Sequence, residues 1–109
     1  MAWTTLCDLA DLREGEGRYV EIDGSHLAVF LHAGEVFVTD NTCPHAGGSM
    51  AGGWVQDGCA VCPWHAWMFD LRTGDLRGGS GGFHLRTYPT RRLPRPDGRV
   101  LVQADLPMP

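Results

Sequence analysis

Lysine is absent from this chain, and all nine of its basic residues are arginine. None of them forms a run longer than Arg91–Arg92, so there is no basic stripe interleaved with aromatics and nucleic acid is excluded as an expected partner. Long apolar runs are also missing. None approaches the roughly 20 residues of a membrane span, and the first basic residue is Arg13, so neither an anchor nor the charged start of a secretory signal is visible. The expected location is cytoplasmic, with no membrane partner. No phosphate-binding glycine loop, nucleotide fingerprint or Ser-His-Asp arrangement is found either. No independent catalysis is expected.

What remains is an ordinary globular composition, 43% hydrophobic and 20% charged. Glycine and proline together make 22 of 109 residues, below the roughly 25–30% of low-complexity chains. One domain spanning 1–109 is expected, of a size that buries roughly two thirds of its unfolded surface. The formal charge of −4 is uneven: residues 1–60 carry nine acids against two arginines, and residues 61–109 four acids against seven. Such a split marks either solvated faces or a charged docking surface that steers a redox partner.

Short β-type runs alternate with glycine-containing turns about every ten residues, the pattern of an all-β sandwich or barrel. The expected strands are Arg18–Ile22, His26–His32, Glu35–Asp40, Trp54–Gln56, Cys59–Val61, Met68–Leu71, Leu85–Thr90 and Arg99–Gln103. Asp23-Gly24, Ala33-Gly34, Asp57-Gly58, Thr73-Gly74 and Asp97-Gly98 read as tight turns. Leu27, Val29 and Leu31 alternate with Ala28, Phe30 and His32, which predicts a strand buried on both faces. A short helix is expected around Leu9–Glu14. Gly78–Gly82 (GGSGG) reads as a mobile surface loop, and Trp3, Trp54 and Phe83 as core.

Two stretches break the strand rhythm, residues 41–53 (NTCPHAGGSMAGG) and 62–67 (CPWHAW). Cys43-Pro44-His45 is followed after 16 residues by Cys62-Pro63-Trp64-His65, giving C-x-H-x16-C-x-x-H. Each proline fixes φ beside a potential ligand, and Gly47, Gly48, Gly52 and Gly53 permit tight turns that bring backbone N–H groups close to an anion. A Cys2His2 set is also a zinc set, but finger-type zinc sites place like residues together, whereas each loop here holds one of each. Cys59 and Cys62 form a C-x-x-C, yet on an extended strand they face opposite ways, so Cys59 reads as a buried small hydrophobe. Cys7 reads as inert. His26, His32 and His84 lack ligand spacing.

These loops, and above all CPWHAWMFDLRTG at 62–74, resemble the Rieske family, and the span from about Val20 to Val102 is similar to its bacterial ferredoxins. The resemblance implies an all-β Rieske-type fold, an antiparallel β-sandwich or barrel with a cluster-binding subdomain formed by the two Cys-His loops. It implies one 2Fe-2S cluster, with Cys43 and Cys62 on one iron and His45 and His65 on the other. Two ferric ions, two sulfides and two thiolates sum to zero charge, so the added electron is easier to accept than with four thiolates. It further implies an electron carrier between a flavin-dependent reductase and the terminal oxygenase of a multicomponent dioxygenase, docking near Pro44, His45, Trp64 and His65. The alternative is the small subunit of an assimilatory nitrite reductase. High-potential members have a disulfide between the loops and hydroxyl donors to the cluster; Gly48, Trp64, Trp67 and Phe69 stand in those places here. A potential on the order of −150 mV is therefore expected. Ala66 stands where the family favours glycine, and Ser49-Met50 where Pro-Leu is frequent. A complete oxygenase is not expected, since His84 alone remains beyond His65 to build a two-histidine, one-carboxylate iron site.

Overall fold

A computed structural model of the chain describes residues 2–78 and 82–107. Its strands are β1 (Ala2–Asp8), β2 (Gly17–Ile22), β3 (Ser25–His32), β4 (Glu35–Asp40), β5 (Trp54–Gln56), β6 (Cys59–Val61), β7 (Met68–Asp70), β8 (Thr87–Tyr88), β9 (Thr90–Pro94) and β10 (Val100–Leu106). They form three antiparallel sheets, ordered β1-β10-β9, β2-β3-β4-β8 and β5-β6-β7. The expected all-β fold is thus present, and the third sheet is the subdomain that carries the two Cys-His loops.

Three hairpins owe their register to left-handed dipeptides. Asp23-Gly24, Ala33-Gly34 and Asp57-Gly58 all place both residues at positive φ, at 49° and 83°, 51° and 77°, and 52° and 75°. This backbone turn matches the twist of the strands it joins, β2 to β3, β3 to β4 and β5 to β6.

β3 is buried on both faces, as its composition requires. Ala28 and Phe30 enter one core with Phe37, Met50, Ala60, Phe69, Leu71 and Leu85. Leu27 and Val29 enter the other with Val36, Val38, Val102 and Ala104. Each large side chain buried here contributes about 1.5–3 kcal/mol, and truncating the fully buried Phe30 to alanine would cost about 3–5 kcal/mol. The first core lies beneath the Cys-His loops and includes Cys43 and Cys62.

The third sheet is an excursion from the second. β4 pairs directly with β8 through Val38–Tyr88 and Thr39–Thr87, and the Asp40 N–H donates to the Arg86 carbonyl at 2.9 Å. The segment between also returns to the rest of the fold, Val55 N–H donating to the Gly15 carbonyl at 3.0 Å and Arg72 pairing with Glu35 at 2.8 Å.

Several expectations are corrected. β1 was not foreseen. The run Leu85–Thr90 divides at Pro89 into β8 and the start of β9, because proline has no N–H for the ladder. The expected helix is a single 3-10 turn, Leu9–Asp11, held by a reciprocal cap between Asp8 and Asp11. Trp3, Trp54 and Phe83 are not core, being 38%, 41% and 36% exposed. Trp3 instead lies under the Arg91 guanidinium, 4.3 Å from its ring centroid, across the β1-β10-β9 sheet. Trp54 lies on β5, with its indole N–H on Gln56. Residues 79–81, at the centre of the stretch expected to be a mobile loop, fall outside the described residues. No helix among the described residues is long and apolar enough to cross a membrane.

Candidate metal centre

Each Cys-His loop is closed by the same backbone bond. Cys43 N–H donates to the Gly48 carbonyl at 2.8 Å and Cys62 N–H to the Trp67 carbonyl at 2.9 Å, so each cysteine opens a six-residue loop sealed by the fifth residue after it. Both loops rise from one end of the third sheet, 41–53 leading into β5 and 62–67 joining β6 to β7. Asn41 anchors the first: its side-chain oxygen accepts from Ala51 N–H and the Ser49 hydroxyl, and its carbonyl from Met50 N–H.

The glycines differ in purpose. Gly47 takes φ 79°. A Cβ on Gly48 would meet the Trp64 indole at 3.0 Å and Cys62 Sγ at 3.1 Å, and one on Gly53 would lie 1.8 Å from the Val61 carbonyl oxygen. Gly52 has ordinary space around it. The loops can therefore approach each other closely only with glycine at 48 and 53.

The four candidate residues are brought together as two pairs of like type, the cysteines in one and the histidines in the other. Cys43 and Cys62 are both buried, and the Cys43 thiol is near enough to push the Cys62 thiol up. Burial pushes the Cys62 thiol up, the Trp64 N–H pulls it down, and the Cys43 thiol pushes it up again. A cation between the two sulfurs would displace those protons. The rings of His45 and His65 lie side by side, centroids 5.6 Å apart and nearly perpendicular. His65 is exposed and held at φ 70°, followed by Ala66 at φ 56°. His45 is more enclosed and its Nδ1 is buried without a hydrogen-bond partner, which is costly unless something else satisfies it. Among the described residues no three His, Cys, Asp or Glu side chains converge on one point. A single tetrahedral zinc would need such convergence; two irons with two protein ligands each would not.

A family model for the Rieske [2Fe-2S] domain matches residues 2–89. The chain belongs to the Rieske [2Fe-2S] domain family. It is 32% identical to the ferredoxin component of the naphthalene 1,2-dioxygenase system of Pseudomonas putida, over 82% of this chain and 86% of that one. Its structure resembles the Sphingomonas yanoikuyae B1 ferredoxin with a TM-score of 0.80 at 33% identity, covering 97% of this chain and all of the other. It also resembles a protein assigned as the NADH-dependent nitrite reductase small subunit of Mycobacterium tuberculosis, TM-score 0.81 at 30% identity, covering 98% and 97%. The cofactor of this Rieske domain is one 2Fe-2S cluster, and the residues fit it: an orphaned imidazole nitrogen, two buried thiols and a pairwise arrangement of unlike donors.

The residues that sequence reasoning missed are aromatic. Trp67 stacks on His45 with centroids 3.6 Å apart and planes within 10°, and Phe83 meets both rings edge-on at 5.2 and 5.8 Å. From sequence, Trp67 stands near the cluster only in the place of a hydroxyl donor, and nothing in the spacing of Phe83 marks it. Phe83 comes to the ligand loops because Leu85 N–H bonds the Gly74 carbonyl, where a Cβ would lie 1.9 Å from the Leu85 oxygen. The other histidines pair with acids away from the ligand residues: His26 with Glu21, His32 with Glu14, His84 with Asp75. Cys59 is fully buried on β6, and burial pushes half-buried Cys7 up to about 11. A groove of about 460 Å³ lies elsewhere, with Glu35, Phe37, Arg72, Tyr88 and Pro89 among its walls and no residue from either ligand loop.

Proposed function

We propose that Cys43 and Cys62 hold one iron and His45 and His65 the other, within a single domain spanning 1–109, and that the protein passes single electrons from a flavin-dependent reductase to a terminal oxygenase. The observation that carries this reading is the sorting of the donors into a thiol pair and an imidazole pair, the ligation by which a Rieske centre differs from an all-cysteine one. When bound, the cluster supplies a site that accepts and releases one electron. The chain does the rest. The buried thiols keep water from the sulfur side, Trp67 and Phe83 fix the plane of His45, and exposed His65 gives a short route to the surface beside Pro44 and Trp64.

The dioxygenase reading is supported by the Pseudomonas relative, a ferredoxin component of such a system. The second reading, the small subunit of a nitrite reductase, is favoured by the Mycobacterium structure. Anaerobic purification with iron and sulfide analysis and an EPR spectrum of the reduced form tests the ligand set. We expect about two irons and two sulfides per chain and a Rieske-type signal that is lost in His45→Ala and His65→Ala. Survival of that signal in either variant removes that ligand from the set. Assay of the loaded protein with purified oxygenase and nitrite reductase catalytic subunits then separates the two pathways.

A further inference from the structure

Resting on the cluster-binding reading above, we infer that electrons cross an uncharged aromatic collar and that the protein meeting it presents an uncharged, apolar rim, so that recognition does not depend on ionic attraction. Residues 41–69 contain one charged side chain, Asp57, where the chain's average of 20% would place about six. Charge is missing here although much of the surface is open. Pro63, Trp64, His65 and Ala66 are exposed in the second loop, Gly47, Ser49 and Gly52 in the first, and Phe83 beside them. Trp64 is 54% exposed, the most open large hydrophobic residue among those described.

Asp57 does not interrupt this collar. It occupies the β5–β6 turn, at the far end of a hairpin whose other end carries both loops. Three extended residues put it about 10 Å away. Of the charged residues that precede Phe83 in the chain, Asp75 faces His84 at 3.3 Å, and Arg77 faces Asp70 at 3.5 Å and donates to the Asp57 carbonyl. The charge asymmetry of the chain is thus carried by other surfaces. Arg91 and Arg92, for instance, lie on β9 and are occupied by Trp3, Gln103 and the Gly34 carbonyl.

A surface of this kind suits a dry contact. The centres of protein interfaces are depleted of charge and enriched in aromatics, and an exposed tryptophan commonly dominates their energy. A charged rim on the partner would have to shed its water against a collar offering no counter-charge, so charge mismatch selects an uncharged rim.

A second copy of the chain offers such a rim, so electron self-exchange between oxidised and reduced protein is a direct probe. Line broadening in NMR gives its rate constant between about 0.1 M and 1 M salt, where the screening length falls from about 10 to 3 Å. We expect less than a threefold change, although both copies are negative, the chain carrying a formal −4 before the added electron, and a loss of tenfold or more in Trp64→Ala. Oxidation of the reduced protein by ferricyanide and by tris(phenanthroline)cobalt(III), of opposite charge, should also vary less than about twofold over that range. Ala66→Asp and Ala66→Lys, which charge the collar, should restore opposite salt dependences with ferricyanide. Self-exchange that rises steeply with salt, opposite slopes for the two complexes in the unaltered protein, or unchanged exchange in Trp64→Ala would overturn the proposal. A protein with no reducible centre would instead overturn the cluster assignment on which it rests.

Discussion

Adjacent glycines in the first ligand loop should respond oppositely to the same methyl group. At Gly53 a Cβ would lie 1.8 Å from the Val61 carbonyl oxygen and 3.2 Å from Pro63 Cδ. The φ of −90° is not left-handed, and the penalty worked out here is the steric one. The oxygen belongs to the backbone of β6, paired with Trp54 on one side and Met68 on the other, and it would have to retreat by more than an ångström. Overpacking against mobile side chains costs about 1–3 kcal/mol; against a paired backbone we expect at least about 3. Stiffening of the unfolded chain returns about 0.4–1 kcal/mol, leaving a net loss of about 2 kcal/mol or more. At about 4–8 °C per kcal/mol for a chain near this size, Tm should fall by roughly 10 °C or more. At Gly52 the nearest atoms would be Ser49 and Pro63 at 3.8 and 3.9 Å, ordinary contacts. Gly52→Ala should therefore be neutral or stabilising by up to about 1 kcal/mol. Urea unfolding of both variants, with iron content measured alongside, provides the comparison. Equal stabilities for Gly53→Ala and Gly52→Ala would refute the close approach of the two loops.

Three further outcomes are expected. Ala66 sits at φ 56°, which costs a non-glycine residue about 1–2 kcal/mol, so Ala66→Gly should stabilise by about 0.5–1 kcal/mol once the freer unfolded chain is counted; urea midpoints will show it. Trp67→Ala removes a stack worth about 0.5–1.5 kcal/mol from His45, so visible absorbance should bleach about two- to tenfold faster in chelator, with Trp67→Phe largely restoring the rate. Tyr88 is pushed up to about 12 by burial and by its hydrogen bond to Asp40. The folded state therefore keeps that proton where the unfolded chain, near 10, loses it. Its stabilising effect is whole below about pH 10 and is lost as pH rises through about 12, and Tyr88→Phe should flatten this alkaline limb of a stability profile.

Much of the fold was legible because local chemistry and tertiary need agree. Asp-Gly and Ala-Gly pairs name their own turn, and a strand with large apolar residues at odd and even positions has to divide two cores, as β3 does. The four candidate ligands were legible because Cys-Pro and His recur at close spacing in both loops. β1 was not, since Trp3, Thr4, Thr5 and Asp8 give no clean alternation, and its place depends on β10, nearly a hundred residues away. The aromatics misled for a related reason. A tryptophan's burial depends on what crosses it, and the Arg91 that covers Trp3 arrives only through the order of three strands. The stack of Trp67 on His45 likewise needs the second loop folded over the first.

The bond between Asp40 and Arg86 brings the two ends of the cluster-bearing segment together. Its two ends emerge from neighbouring strands a single hydrogen bond apart, and closing a longer excursion costs only slowly more entropy, about 0.6 kcal/mol for each doubling of length. A different set of loops spliced at this junction would still have to fill the core that Met50, Ala60 and Phe69 share with Ala28, Phe30 and Phe37. What is mounted on β3 and β4 can thus vary in length at the surface, but not in the apolar side chains it lays against them.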